Sequence, residues 1–129
     1  MIDPAHALAS WFLWIASSFF GALFALPLLL APLAWARRWG WRLPEDTDLA
    51  VYLGRSVGAL AGGLVYVALR AAPHPAGYGG LFEVITAVTA LLTLTHIWGA
   101  VTRRQPWLET AEIALFAAVA IVAWVAAPR

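Results

Sequence analysis

Four long apolar stretches run along the chain, separated by short polar or turn-rich segments. They cover about residues 8–36, 49–70, 81–103 and 107–127. Because roughly 20 helical residues cross the hydrocarbon core of a bilayer, each stretch is long enough for one crossing. Short connections favour antiparallel neighbours. The sequence therefore predicts an all-α polytopic membrane protein, a single antiparallel four-transmembrane-helix bundle over residues 1–129.

The first stretch is longer than one straight crossing needs. Pro27 and Pro32 lie in its second half, and a proline within a helix removes a hydrogen bond and kinks or ends the helix. We expect these prolines either to kink the helix or to divide a spanning part from an interfacial tail.

The third stretch carries polar side chains at helical spacing in an apolar background. At about 100° per residue they fall on one side of a helix. In a bilayer that side must face protein or water. The stripe consists of Glu83, Thr86, Thr89, Thr93, His96 and Arg103.

Composition agrees with a membrane location. Apolar residues make up 63% and charged residues 12% of the chain, whereas soluble domains are nearer one half and one quarter. The chain has no cysteine, which excludes disulfides, thiolate metal sites and cysteine nucleophiles. A net charge of +1 argues against nucleic-acid binding.

Arginines indicate the orientation, because cytoplasmic loops of membrane proteins are enriched in basic residues. We expect a multi-pass protein of the bacterial inner membrane with the first and third loops in the cytoplasm and both termini outside. The arginines of these two loops are Arg37, Arg38, Arg42, Arg103 and Arg104.

Three glycines of the second stretch predict a helix-packing face. Gly54, Gly58 and Gly62 repeat at a spacing of four, and small residues let helix backbones approach closely in lipid. The fourth helix offers a matching surface of alanines. The partner could equally belong to a second protomer, so a homo-oligomer or a larger membrane complex is expected.

Ionisable residues of three helices are predicted at one membrane depth. Counted from the span midpoints, Arg55, His96 and Glu112 all lie toward the cytoplasmic side, and Thr93 is close to them in sequence. Charged groups inside a membrane normally pair, so Arg55 and Glu112 are the natural ion pair. The pair could simply specify the bundle, and His96 could be a structural hydrogen-bond donor.

Three functions remain open for these polar residues. The cluster could line a pocket for a quinone or lipid headgroup, with Trp98 and Tyr52 as aromatic walls. The stripe from Glu83 through Thr86, Thr89 and Thr93 to His96 could conduct protons or ions. The stripe could instead join helices in an accessory or scaffold subunit of a larger complex, which is our leading hypothesis.

Catalysis and metal binding have little support in the sequence. The chain lacks H-E-x-x-H and phosphate-loop motifs. Asp3, His6 and His74 form a conceivable metal trio at the outer face, but two histidines in flexible segments are weak support for a site. We assign no catalytic residue, no metal ligand and no definite cofactor.

Three segments resemble the small bacterial DoxX-like membrane proteins and related four-helix families. They are PLAWARRWGW at residues 32–41, YLGRSVGA at 52–59 and RRQPWLETAE at 103–112. The resemblance implies a four-helix bundle that sometimes accompanies a quinone-linked oxidoreductase. It implies no catalytic residue.

Overall fold

A computed structural model describes residues 1–128, and this part of the chain is helical without strands. Four helical segments are long and apolar enough to cross a membrane: Pro4–Leu30, Asp48–Ala71, Pro75–Val101 and Trp107–Ala126. The predicted all-α fold with four membrane-length helices is confirmed. The α-helices are α1 (Ala7–Phe20), α2 (Leu26–Leu30), α3 (Pro32–Arg38), α4 (Asp48–Ala71), α5 (Gly79–Val101) and α6 (Trp107–Ala126).

The first crossing is irregular in its second half. A π-helical turn, Gly21–Ala25, separates α1 from α2. The helix ends at Ala31, because the proline that follows disfavours the α conformation there. The short helix α3 then turns back, and the Trp35 indole N–H donates to the Leu23 carbonyl at 2.8 Å. This bond satisfies a carbonyl of the π-helical turn and holds α3 against it.

The four crossings meet in an apolar core at the end opposite the arginine-rich loops. Leu13 and Phe82 are completely buried there, together with alanines of α4 and α6. The hydroxyl of Ser10 donates to the Ala72 carbonyl at 2.7 Å and joins α1 to the end of α4. Small residues at this end let the helices approach closely, as packing in lipid requires.

Two of the three predicted packing glycines lie against the tail of the first crossing. A Cβ on Gly54 would stand 2.5 Å from Cβ of Pro32, and a Cβ on Gly58 would overlap the backbone of Leu29. Gly62 differs, because nothing lies within 4 Å of its Cβ position. The close partner of α4 at Gly54 and Gly58 is therefore α2 with the start of α3, within the same chain, and α6 does not fill this role.

Helices α5 and α6 form a tight antiparallel hairpin. Arg103 turns the chain with a φ of +54°. The Gln105 amide donates to the His96 carbonyl at 3.0 Å and to the Thr110 hydroxyl at 3.1 Å. A Cβ on Gly99 would overlap the Gln105 side chain, so the glycine at this position leaves space for Gln105. The last turns of α5 and the first turns of α6 are thereby held in register.

Candidate functional site

His96 projects from α5 toward the first turns of α6. Its Nδ1 lies 2.7 Å from the Leu92 carbonyl oxygen, and since a carbonyl only accepts, Nδ1 carries the proton. The other ring nitrogen, Nε2, faces two carboxylates: Glu109 Oε2 at 3.1 Å and Glu112 Oε2 at 3.4 Å. The local helix backbone therefore fixes which nitrogen is presented to α6.

Glu109 and Glu112 share one face of α6 because residues three apart on a helix are neighbours. Each carboxylate accepts a second bond through its other oxygen. The Trp41 indole N–H donates to Glu109 Oε1 at 2.8 Å, and the Trp39 indole N–H donates to Glu112 Oε1 at 2.5 Å. Both tryptophans follow α3, so three separate parts of the chain build the cluster. We call His96, Glu109 and Glu112 the His–Glu–Glu cluster.

Aromatic side chains enclose this cluster. His96, Glu109 and Glu112 are each only 8% exposed. The Phe116 ring lies 5.0 Å from the imidazole, and Trp39 stacks on Trp35 at 5.0 Å. Charges in such an apolar enclosure interact strongly and are costly when uncompensated. Glu109 also lies in the first turn of α6, where the helix dipole favours a carboxylate.

The predicted ion pair between Arg55 and Glu112 is absent among residues 1–128, where the partners of Glu112 are His96 and Trp39. Arg55 is exposed on α4. The physical reason is helix adjacency, because α4 packs chiefly on the first crossing and its tail while α6 pairs with α5. His96 and Glu112 lie at one level of the bundle, 3.4 Å apart, but a common level does not say which helices are neighbours.

Sequence reasoning did not assign Glu109, Trp39 or Trp41 to a site. Glu109 carried a usable signal, namely its spacing of three from Glu112 on a helix. The tryptophans carried none, because an aromatic residue beside an arginine-rich loop is also typical of a membrane interface. Their indole donors are brought to the cluster by the break at Pro32, whose direction the sequence does not specify.

The threonines of the α5 stripe bond largely to their own helix. Thr93 donates to the Thr89 carbonyl at 2.8 Å, and Thr89 donates to the Ile85 carbonyl at 2.7 Å. The Thr86 hydroxyl oxygen is buried without a hydrogen-bond partner. Glu83 is exposed and lines an outer cavity of about 160 Å³ together with Thr86.

The outer-face trio does not assemble in the part of the chain that the structure describes. Asp3 and His6 lie 3.3 Å apart, but His74 does not join them. The backbone N–H of Ala5 donates to the Asp3 carboxylate, and this bond lowers the pKa of Asp3. Asp3 therefore caps the short helical turn Pro4–His6, and Asp3 and His6 together have no third residue with which to bind a metal.

A second cavity, of about 380 Å³, lies beside the His–Glu–Glu cluster at the loop end of the molecule. Its walls include Pro32, Trp41, Arg42, Gly54 and Glu109. Tyr52 and Trp98, the expected aromatic walls of a quinone pocket, are 68% and 72% exposed and do not line it. An apolar cavity with one arginine and one carboxylate suits a small amphipathic ligand.

No protein-family model matches the chain, and neither a curated protein nor a solved structure matches it. The resemblance to DoxX-like proteins therefore stays a prediction.

Proposed function

We propose that the protein is a non-enzymatic accessory or scaffold subunit that binds a larger membrane complex through one side of α4. The observation that carries this proposal is the position of Arg55. It lies well inside a membrane-length helix, its side chain is exposed, and residues 1–128 provide it with no ion pair. A partner outside the chain is the natural source of its counter-charge.

The surface around Arg55 suits a neighbouring helix. At about 100° per residue, Arg55, Ala59, Gly62 and Tyr66 fall within an arc of roughly 60° on α4. We call these four residues the open face of α4. Gly62 lies at one edge of this arc, and no atom of another helix stands within 4 Å of its Cβ position. A small, uncovered residue beside a charged one permits close approach and an interhelical ion pair together.

The energetic argument favours a partner with a carboxylate. An arginine at the centre of a bilayer costs roughly 2.5–3.5 kcal/mol on insertion scales, and less when it reaches the interface. Arg55 is seven residues into α4, which is roughly 10 Å from the start of the helix. Pairing with an acidic side chain at that level would offset much of the cost.

A second copy in the same orientation does not provide this carboxylate. Glu83 lies four residues into α5, at the opposite end of the bundle, and its level differs from that of Arg55 by roughly 17 Å. Asp48 is the first residue of α4, roughly 10 Å from the level of Arg55. Glu45 and Asp46 precede this helix, and Asp3 precedes the first crossing. Glu109 and Glu112 are buried and already bonded. The proposed partner is therefore a different protein with an aspartate or glutamate at the level of Arg55.

Site-specific photo-crosslinking in native membranes tests the proposal. A photoreactive residue at position 62 should capture one membrane protein, and Arg55→Ala should reduce that product. The matched control is position 57, because Val57 is exposed on the opposite side of α4. Exchanging the charges, with Arg55→Asp and arginine at the partner's carboxylate, should restore the product. Equal capture at positions 57 and 62, or a partner without an acidic residue at that level, would refute it.

A proton or ion pathway along the stripe is the second candidate function. The outer cavity with Glu83 and the unpartnered Thr86 hydroxyl support it. In liposomes, such a pathway should lose flux on Glu83→Gln while the protein remains assembled. Thr95→Val is a suitable control, since Thr95 is exposed and bonds to its own helix. Absence of flux from the wild-type protein would exclude this function.

The cavity beside Trp41 supports a role for a quinone or lipid headgroup in such a complex. Its volume lies within the range of small-ligand pockets, and Arg42 could bind a carbonyl or phosphate oxygen. Labelling with a photoreactive quinone should then be lost on Arg42→Ala and competed by unlabelled quinone. Competition by phospholipid alone would assign the cavity to a lipid instead.

We further propose that the arginine-rich loops face the cytoplasm of a bacterial inner membrane, with both termini outside. The proposal follows the distribution of arginines. Because the chain has no cysteine, one cysteine introduced at Ala76 or at Asp46 can be labelled uniquely. An impermeant thiol reagent applied outside the cell should label position 76 and spare position 46. The reverse pattern would invert the orientation.

A further inference from the structure

We propose that His96, Glu109 and Glu112 bind one divalent transition-metal cation, of the class of Mn²⁺, Fe²⁺ or Zn²⁺. Each residue offers one ligand atom, and these atoms lie within 4.8 Å of one another. All three side chains are buried. The inference goes beyond the proposed scaffold function, because the cluster lies between α5 and α6 and the open face lies on α4.

The spacing of the donor atoms matches the edges of a coordination polyhedron. Metal–nitrogen and metal–oxygen bonds of about 2.1 Å place neighbouring ligands about 3.0 Å apart in an octahedron and about 3.4 Å apart in a tetrahedron. His96 Nε2 is 3.1 Å from Glu109 Oε2 and 3.4 Å from Glu112 Oε2. All three ligand atoms lie within 4.8 Å of one another, so one cation placed between them would bind the nitrogen and draw the two carboxylate oxygens toward itself.

Each of the three side chains also forms a hydrogen bond through the atom that points away from the other two. The Leu92 carbonyl binds Nδ1–H of His96, so Nε2 is turned toward the carboxylates. Trp41 and Trp39 bind the outer oxygens of Glu109 and Glu112, leaving Oε2 of each directed at the imidazole. Metal-binding histidines and carboxylates characteristically have such outer hydrogen bonds, which fix tautomer and orientation.

Charge balance supports a cation. When ionised, the two buried carboxylates carry two negative charges, and in residues 1–128 no arginine forms an ion pair with either. Two neutral indole donors do not neutralise them. A protonated His96 would leave one negative charge uncompensated in an apolar enclosure, whereas a divalent ion would neutralise both.

The donor set narrows the class of metal. One imidazole with two carboxylates, and no thiolate in the chain, favours manganese, iron or zinc over copper(I) and iron–sulfur clusters. Three protein ligands leave coordination positions open for water or a small ligand. Glu109 and Trp41 also line the 380 Å³ cavity, so one ligand residue of the cluster borders this space.

Metal analysis of the purified full-length protein tests this inference. After chelation and reloading with Mn²⁺ or Zn²⁺, the wild type should retain one ion per chain through gel filtration, and Mg²⁺ and Ca²⁺ should compete poorly. Glu109→Gln and Glu112→Gln should abolish retention. Trp39→Phe, which removes only an outer hydrogen bond, should weaken affinity by about 10–100-fold. Glu45→Gln is the matched control, since it removes an exposed carboxylate of the loop before α4 and should leave binding unchanged.

A spectroscopic measurement on the wild type covers the case in which the glutamine variants fail to fold. X-ray absorption of the Zn²⁺-loaded protein should show a first shell of oxygen and nitrogen with an imidazole contribution. Binding of no stoichiometric ion, a shell of water oxygens alone, or equal retention by Glu45→Gln and Glu112→Gln would overturn the proposal. The crosslinking at position 62 reports separately on the scaffold function, so the two proposals fail independently.

Discussion

The contrast between Gly58 and Gly62 gives a quantitative test of how α4 packs. A Cβ on Gly58 would overlap the Leu29 backbone nitrogen and would lie 2.8 Å from the Leu29 Cα. Backbone atoms cannot rotate away, so Gly58→Ala must push α4 and α2 apart. Overpacking of this kind costs about 1–3 kcal/mol. The gain in helix propensity from glycine to alanine, about 0.8–1.0 kcal/mol, offsets part of this cost. Three backbone atoms of Leu28 and Leu29 stand within 3 Å of this Cβ, so the overpacking cost belongs in the upper part of that range, about 2–3 kcal/mol. We therefore expect a net loss of about 1–2 kcal/mol in the free energy of unfolding.

The same substitution four residues later should have the opposite sign. Gly62 has no atom within 4 Å of its Cβ position, so Gly62→Ala keeps the helix-propensity gain without a clash. The assay is reversible unfolding of both variants in mixed detergent micelles, followed by far-UV circular dichroism. If Gly58→Ala unfolds with the wild type, or if both variants lose stability equally, the packing of α4 on α2 is wrong.

Three further predictions concern single polar groups. Trp39→Phe removes the indole donor to Glu112 and should lower the free energy of unfolding by about 1.5–3 kcal/mol, measured by detergent titration. Ser10→Ala breaks the buried bond to the Ala72 carbonyl and should cost about 1–2 kcal/mol in the same assay. Thr86→Val removes an unpartnered buried hydroxyl and should stabilise the fold by about 1 kcal/mol in thermal unfolding.

Each of these variants has a control of the same chemistry at an exposed position. Trp107→Phe, Ser18→Ala and Thr95→Val alter exposed side chains and should change stability by less than about 0.5 kcal/mol. A loss as large for Trp107→Phe as for Trp39→Phe would contradict a specific role of the Glu112 bond. Destabilisation by Thr86→Val would mean that this hydroxyl has a partner, which would favour the pathway along α5.

The length and apolar character of the crossings could be predicted because they depend on local composition. A membrane-spanning helix needs only enough consecutive apolar residues, and these can be counted in the sequence. The level of His96 and Glu112 was predictable for the same reason, since helix rise converts residue number into depth. Properties that each helix has by itself were therefore accessible without the structure.

The identity of neighbouring helices was not accessible in this way. Arg55 was expected beside Glu112 because both lie at one depth, yet α4 packs on the first crossing and α6 on α5. The decisive features are a π-helical turn at Gly21–Ala25 and a break at Ala31, which send α3 back toward the bundle. The angle of such a break depends on tertiary packing, and the tryptophans that follow it could be placed only at an interface.

The reversal after Pro32 connects the two surfaces for which we propose binding. Pro32, where this segment begins, fills the space beside Gly54, and the segment leaves the open face of α4 uncovered. Its last part brings Trp39 and Trp41 onto the carboxylates of α6. Arg55 is thus separated from Glu112 by the same segment that encloses the His–Glu–Glu cluster. A chain that paired Arg55 with Glu112 would cancel one of the two carboxylate charges and lose the exposed charge, whereas this arrangement leaves an arginine for a partner and two carboxylates for a cation.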